Sequence, residues 1–346
     1  MTAQDRLEFL GVPGSPYTRK MLSLLRFRRI PHNLILGGHK IGEESSRPEP
    51  KVKLLPTFYF PGADGKTEAV VDSTPIIRRL EQDYGGRSVL PADPSLAFLN
   101  DLIEDFADEW LTKPMFHCRW AHDEDAKNAG PLLVFWQDPT LPADKAKEMA
   151  TFISNHQINR LYVVGSNAVT APTIEGSFER LVRILDDLIQ KNGYVLGPRP
   201  ASADFALFGQ LTQLAYVEPT SARFLNATSP RLRAWLDRVE DLSGLQVEEG
   251  AWPTLADLAP SLKPLLDEIG RVYVPFLLAN ARAVAAGEKD FATEIDGRAW
   301  TQPTFPYQAK CLMWLREGFA ALPADAQKAV ADVLDGTGCE WLFQSA

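Results

Sequence analysis

The chain has 346 residues, 45% hydrophobic and 23% charged, which is ordinary globular composition and enough length for two domains whose core needs no disulfides. A formal net charge of −9 argues against nucleic acid as the main partner, because phosphate binding draws on a basic excess. Cys118, Cys311 and Cys339 lie far apart with no CxxC pair, which excludes a zinc knuckle or dithiol redox motif and fits a reducing compartment.

The N-terminus, MTAQDRLEFLG, carries an early acid and only a short apolar run, so no signal peptide is expected and a cytoplasmic location is. Leu7 to Val12 predicts a strand. Pro16 to Arg29 predicts a helix, with proline at an early helical position that suits its fixed φ. The basic run Arg26-Phe-Arg-Arg29 then falls on that helix's solvated face. Asn33 to Leu36 predicts a second strand, ended by Gly37-Gly38. Thr57 to Phe60 and Glu68 to Val71 bracket Pro-Gly-Ala-Asp-Gly and predict a hairpin. Asp72-Ser73-Thr74-Pro75 opens a helix carrying Ile76, Ile77, Leu80 and Tyr84, closed by Gly85-Gly86. The order is β-α-β-(α)-β-β-α, an α/β domain over residues 1–90.

Beyond Pro91 and Pro94 the pattern changes to an all-α domain over residues 95–346. Leu99, Leu102, Ile103, Phe106 and Trp110 form one helical stripe, and Phe178, Leu181, Val182, Leu185, Leu188 and Ile189 another. Helices are predicted through Asp144–Val164, Asp204–Val217 and Arg231–Leu242, and no strand pattern is expected to return. The apolar stretch Val272 to Ala286 contains Pro275 and Arg282 and falls short of the roughly 20 residues that span a bilayer, so no membrane partner is expected. An extension over about residues 246–346 holds Trp300, Phe305, Tyr307, Trp314 and Leu315. That is too apolar for a disordered tail, so extra docked helices are expected, one beginning near Tyr307.

Three short motifs carry chemistry, each with two readings. Ser15 before Pro16 can cap the free N–H groups of its helix. The same N–H groups and helix dipole favour an anion, and a hydroxyl beside them could hold a thiolate. Leu54-Leu55-Pro56-Thr57 allows an ordinary trans turn, or a cis bond that exposes the Leu55 backbone to an extended peptide. Asp72 or Ser73 can cap the helix near Pro75, or bind a ligand carrying both an ammonium and a carboxylate.

In order and spacing these motifs resemble the N-terminal thioredoxin-like domain of glutathione S-transferases, and the proline-bounded linker and helical remainder resemble their second domain. The stretch YVLGPRPASADFALF (194–208) is similar to the box that opens a core helix there, with Asp204 in place and Ala201 where Ser or Thr is usual. The resemblance covers about residues 5–245. It implies that Ser15 stabilises the glutathione thiolate, with Tyr17 as a second hydroxyl whose other reading is stacking against the core. Leu55, ahead of Pro56, would pair with the cysteinyl backbone, and Asp72 and Ser73 would hold the γ-glutamyl end. Lys53 lies one residue from a lysine that some serine-type members use on the glycine carboxylate. With no cysteine at position 15, the thiol-exchange branch is disfavoured.

The implied activity is conjugation of glutathione, as co-substrate, to a small apolar electrophile by a homodimer. The alternatives are a non-catalytic interaction protein of the same fold and a glutathione-dependent isomerase or lyase. In MFHCRWAHDE (115–124) the two histidines are five apart, which one helix face does not bring together, so no metal is expected. The stretch follows the helix that lines the family's electrophile pocket. His117, Arg119 and Trp120 would therefore face substrate, or else pack in the core and form a surface ion pair.

Overall fold

The computed structural model describes residues 6–39, 47–62 and 65–344. Buried Leu7, Phe9 and Gly11 alternate with half-buried neighbours in β1 (Leu7–Gly11). β2 (His32–Leu36) pairs with it in parallel; on its other edge β3 (Thr57–Pro61) runs antiparallel and is followed by β4 (Thr67–Val70), giving the order β2-β1-β3-β4. Phe9 faces Phe58 across the β1–β3 ladder, and their rings stack at 4.8 Å. The bracketed helix between β2 and β3 has no counterpart in residues 47–56, while residues 40–46, like Ala63 and Asp64 of the hairpin loop, lie outside the described residues.

Helix α1 (Pro16–Arg28) begins at its Ser15 cap and ends where Arg29 turns left-handed at φ 55°. Its basic run is only partly solvated: Arg29 is exposed, Arg26 half-buried and Arg28 buried. Arg26 pairs with Glu240 at 2.8 Å, buried Arg28 with Glu81 at 2.9 Å, and Arg29 donates to the Ser243 carbonyl at 2.7 Å. The C-terminal turn of α1 reaches Glu81 of α2 (Ser73–Asp83) and Glu240 just past α10 (Pro230–Val239), so its cations find protein partners even where they remain open to water.

The helical domain opens with α3 (Pro94–Glu109), capped by Asp93, and continues through α4 (Thr112–Trp120), α5 (Asp123–Phe135), α6 (Ala143–Ile158) and α7 (Ala171–Asn192). Helix α8 (Ser202–Thr212) is the central member. Its N-terminus is tied by Asp204, whose carboxylate accepts from the Ala201 and Val195 backbone N–H groups at 2.8 and 2.9 Å. Ser202 instead donates to the buried Glu104 on α3, at 2.5 Å. Gly209 lies where α8 crosses α1: a Cβ there would stand 2.4 Å from the Pro16 carbonyl oxygen. Only glycine permits this approach, and it sets the mouth of α1 against the helical domain.

After α9 (Pro219–Thr228) and α10, the extension adds α11 (Leu255–Glu268) and α12 (Val274–Ala285), then α13 (Pro306–Ala320) and α14 (Ala324–Leu334). Between α12 and α13 strands do return: β5 (Asp290–Ile295) and β6 (Arg298–Pro303) form an antiparallel hairpin. Asp296 and Gly297, at φ 53° and 70°, make the tight turn that an Asp-Gly pair favours. Phe291 and Ile295 alternate inward on one strand, Trp300 and Gln302 on the other. Trp300 is fully buried beside Trp110 (centroids 5.5 Å apart) and Phe276, and Leu315 is buried too. Phe305 and Trp314 stay 42% and 47% exposed. Among the described residues no helix is long and apolar enough to cross a membrane.

Candidate active site

The loop from β1 to α1 carries Ser15 beyond the end of this interior strand. Its hydroxyl oxygen accepts from the Thr18 N–H at 3.2 Å, the capping role, and donates to the Leu55 carbonyl at 3.3 Å. The Leu55–Pro56 bond is cis. Two of the sequence motifs, forty residues apart, therefore meet directly. Gly14 is pressed against α5 and the residue beyond it: a Cβ there would lie 2.6 Å from Leu133 and 2.8 Å from Trp136.

The third motif stands at the start of α2. Asp72 takes φ 82° and ψ 111°, and its side chain does not cap the helix. Instead its carboxylate accepts from the Tyr307 hydroxyl of α13 at 2.7 Å. Ser73 is buried and accepts from Lys20 Nζ at 3.0 Å; Lys20, on α1, also reaches Glu104 at 2.9 Å and Asp108 at 2.5 Å on α3. Burial alone would lower the Lys20 pKa, but Asp108 and Glu104 outweigh it and raise the value, so this interior amine stays charged. A cavity of about 320 Å³ lies between α2, α3 and α13, lined among others by Asp72, Arg78, Asp105, Tyr307 and Trp314.

The remaining candidates are engaged elsewhere. The Tyr17 hydroxyl donates to the Asp108 carbonyl at 2.8 Å, and burial, then Glu109 and Asp108, push its pKa well up. Lys53 is paired with Glu49 at 2.9 Å on the surface. His117, Arg119 and Trp120 are all buried, because α4 turns these side chains toward its helical neighbours. Arg119 pairs with Glu218, donates to Gln213 Oε1 at 2.7 Å and to the Gly14 carbonyl at 2.9 Å, and so fastens the Ser15 loop from behind. Trp120 packs with Ala126 and Ala129. His117 contacts Ser166 at 2.7 Å and Glu175 at 3.1 Å.

Residues 9–88 match the glutathione S-transferase N-terminal domain, and residues 157–238 match the glutathione S-transferase C-terminal domain. The chain belongs to the glutathione S-transferase family. Its thioredoxin-like sheet and large helical domain are the two domains of that family in their usual order. Among solved structures it is similar to a glutathione S-transferase from Methylobacterium radiotolerans in complex with glutathione sulfonate (20% identity, 68% of this chain and 90% of that one, TM-score 0.43). It is also similar to a Tau class glutathione S-transferase from mango, Mangifera indica (18%, 76% and 100%, TM-score 0.42). A third likeness is to a glutathione transferase family member from Pseudomonas fluorescens with two glutathione bound (15%, 69% and 89%, TM-score 0.41). No curated protein matches the chain.

In this family member the sequence motifs miss four residues that surround the candidate site. Lys20 sits within a helix that looks amphipathic, where a lysine is ordinarily solvated. Tyr307 is 235 residues from Asp72. Leu133 and Trp136 belong to an apolar run with no feature that points at Gly14. The glycine itself, beside Ser15, was the only available sign of a close approach.

Proposed function

We propose that this glutathione S-transferase family member binds glutathione along the edge formed by Ser15, Leu55, Asp72 and Ser73, and adds its thiolate to a small apolar electrophile. The carrying observation is the meeting of Ser15, at the positive end of α1, with the Leu55 backbone at 3.3 Å. An extended peptide paired with Leu55 would lay its cysteinyl sulfur beside the Ser15 hydroxyl and the first N–H groups of α1. The γ-glutamyl ammonium would reach the Asp72 carboxylate, and its carboxylate the N-terminus of α2 with Ser73. Leu133 and Trp136, against Gly14, would form the apolar wall for the electrophile.

The energy required is small. Lowering a thiol pKa from about 8.5 by about two units takes about 2.7 kcal/mol of selective thiolate stabilisation. One charge-assisted hydrogen bond supplies about 1.5–3 kcal/mol, and a helix N-terminus adds to it. To serve, the Ser15 hydrogen must turn from the Leu55 carbonyl to the sulfur. That commitment of the hydroxyl favours a second reading, a protein that binds glutathione without activating it. Ultraviolet titration of the bound thiol separates the two. Conjugation chemistry expects a thiol pKa about one to two units below the free value, raised again in Ser15→Ala. Retention on immobilised glutathione with a thiol titrating near its free value supports the binder, and an unchanged titration in Ser15→Ala removes Ser15 from the chemistry.

A further inference from the structure

A second cluster of polar side chains lies apart from the Ser15 edge, where α4, the start of α5 and the first turns of α7 meet. α4 ends at Trp120, and His122 takes an extended backbone (φ −111°, ψ 133°) before α5 begins. This turn folds the His122 ring back on His117, edge to face with centroids 5.3 Å apart, which a continuous helix could not do. Glu175 enters from α7. Its Oε1 lies 3.1 Å from His117 Nε2 and 3.5 Å from His122 Nε2, and the three ligand atoms all lie within 4.8 Å of one another.

We propose that His117, His122 and Glu175 form a zinc-binding site. Zinc bonds of about 2.0–2.1 Å to nitrogen and oxygen in a tetrahedron place neighbouring ligand atoms about 3.3–3.4 Å apart. The two edges to Glu175 Oε1, at 3.1 and 3.5 Å, lie within about 0.3 Å of that length, and a rotation of the half-exposed His122 ring would close the third. Two imidazoles with one carboxylate suit a borderline ion such as zinc and not an oxygen-seeking one such as calcium. With zinc on Nε2, His117 would carry its proton on Nδ1 and donate it to Ser166 Oγ, 2.7 Å away, the outer-shell contact that metal-bound histidines use. Among the described residues the ionic partners of Glu175 are these two histidines, so no lysine or arginine competes for the carboxylate. Glu175 and His122 are partly exposed, which leaves the fourth position to a water. The site would clamp α4, the α4–α5 turn and α7 together, and it does not depend on the thiol chemistry at Ser15.

The test uses the untagged full-length chain, stripped with a chelator and dialysed. Zinc is titrated calorimetrically and cobalt(II) by its visible absorption. The expected result is one equivalent bound, cobalt bands of tetrahedral intensity, and a higher melting temperature with zinc. Loss of an outer-shell partner typically costs about 10–100-fold in metal affinity, the effect expected for Ser166→Ala, so loss of a ligand in His122→Ala or Glu175→Gln should cost at least about a hundredfold. His122 and Glu175 are near the surface, and the zinc-free melting temperature of each variant reports whether it folds. Absence of saturable one-equivalent binding overturns the proposal. So does zinc affinity that is the same in the wild type and in both ligand variants when these melt normally.

Discussion

Asp72 holds a backbone conformation uncommon for a residue with a side chain, and its carboxylate is fixed by a hydroxyl from the far end of the chain. If Asp72 carries the ammonium end of glutathione, Tyr307 positions it, and the two substitutions should rank. Asp72→Ala is expected to weaken glutathione binding by about 1–3 kcal/mol, and Tyr307→Phe by about 0.5–1.5 kcal/mol, since the ring keeps its packing against Trp314. Calorimetric titration measures both; affinities equal to wild type in the pair would leave Asp72 with no ligand role. The candidate-site residues legible in sequence were those marked by punctuation: Ser15 and Leu55 precede prolines, and Asp72-Ser73 opens a helix. Lys20 and Tyr307 were not legible, because their roles come from partners that only the folded chain brings near. His117, Arg119 and Trp120 were left open between pocket and core, because spacing along α4 does not say which neighbour each face meets.

Between elements, the governing contact is the crossing of α1 and α8 at Gly209. Adding a methyl there drives it into the backbone of Pro16, which no side-chain rotation relieves. Gly209→Ala should therefore cost about 1–3 kcal/mol of stability, as overpacking does, and raise the KM for glutathione by displacing the Ser15 cap. Chemical denaturation and steady-state kinetics read the two effects, and a variant with wild-type values for both would show that the helices can separate at no cost. The alternation of strands and helices in the first domain was legible because its apolar runs are short and ended by Gly and Pro. The β5–β6 hairpin was not, although Asp296-Gly297 marks its turn. Its inward face includes Gln302 and Thr293 beside Phe291, Ile295 and Trp300, so the apolar period of two is broken.

Across the whole molecule, the interface between α3 and the extension collects acids. Burial, reinforced by Asp105, pushes Glu109 up to about 8, and burial pushes Asp105 to about 6 despite the Tyr273 hydroxyl it accepts at 2.6 Å. Folded-state values above the unfolded ones mean that the folded protein keeps protons that the unfolded chain releases. Stability is then fullest below about pH 4 to 4.5 as far as these groups are concerned, and falls as pH rises toward 8. Lys113, lowered to about 7 by burial, is charged in both states below that value and does not mask the trend between pH 5 and 7. Glu109→Gln should flatten the fall and stabilise the protein at pH 7 by on the order of a few kcal/mol. It keeps the 3.0 Å contact from Gln308 Nε2 and offers a donor to Gln308 Oε1, which is buried without a partner among the described residues. Urea unfolding at several pH values checks this, and parallel curves for mutant and wild type would refute it.

Lys113 also ties the body of the protein to the timing of its own synthesis. Its ammonium lies 3.9 Å from the centre of the Phe276 ring and donates to Gln302 Oε1 at 3.1 Å, a partner 189 residues further along the chain. At ribosomal speeds of about 5–20 residues per second, that partner arrives roughly 10–40 s after the lysine. Until then α3 and α4 stand without the ring and the amide that cover this amine, so the helical domain cannot close around Lys113 before residue 302 of the 346 has emerged. The extension completes the interior of the domain from which it extends.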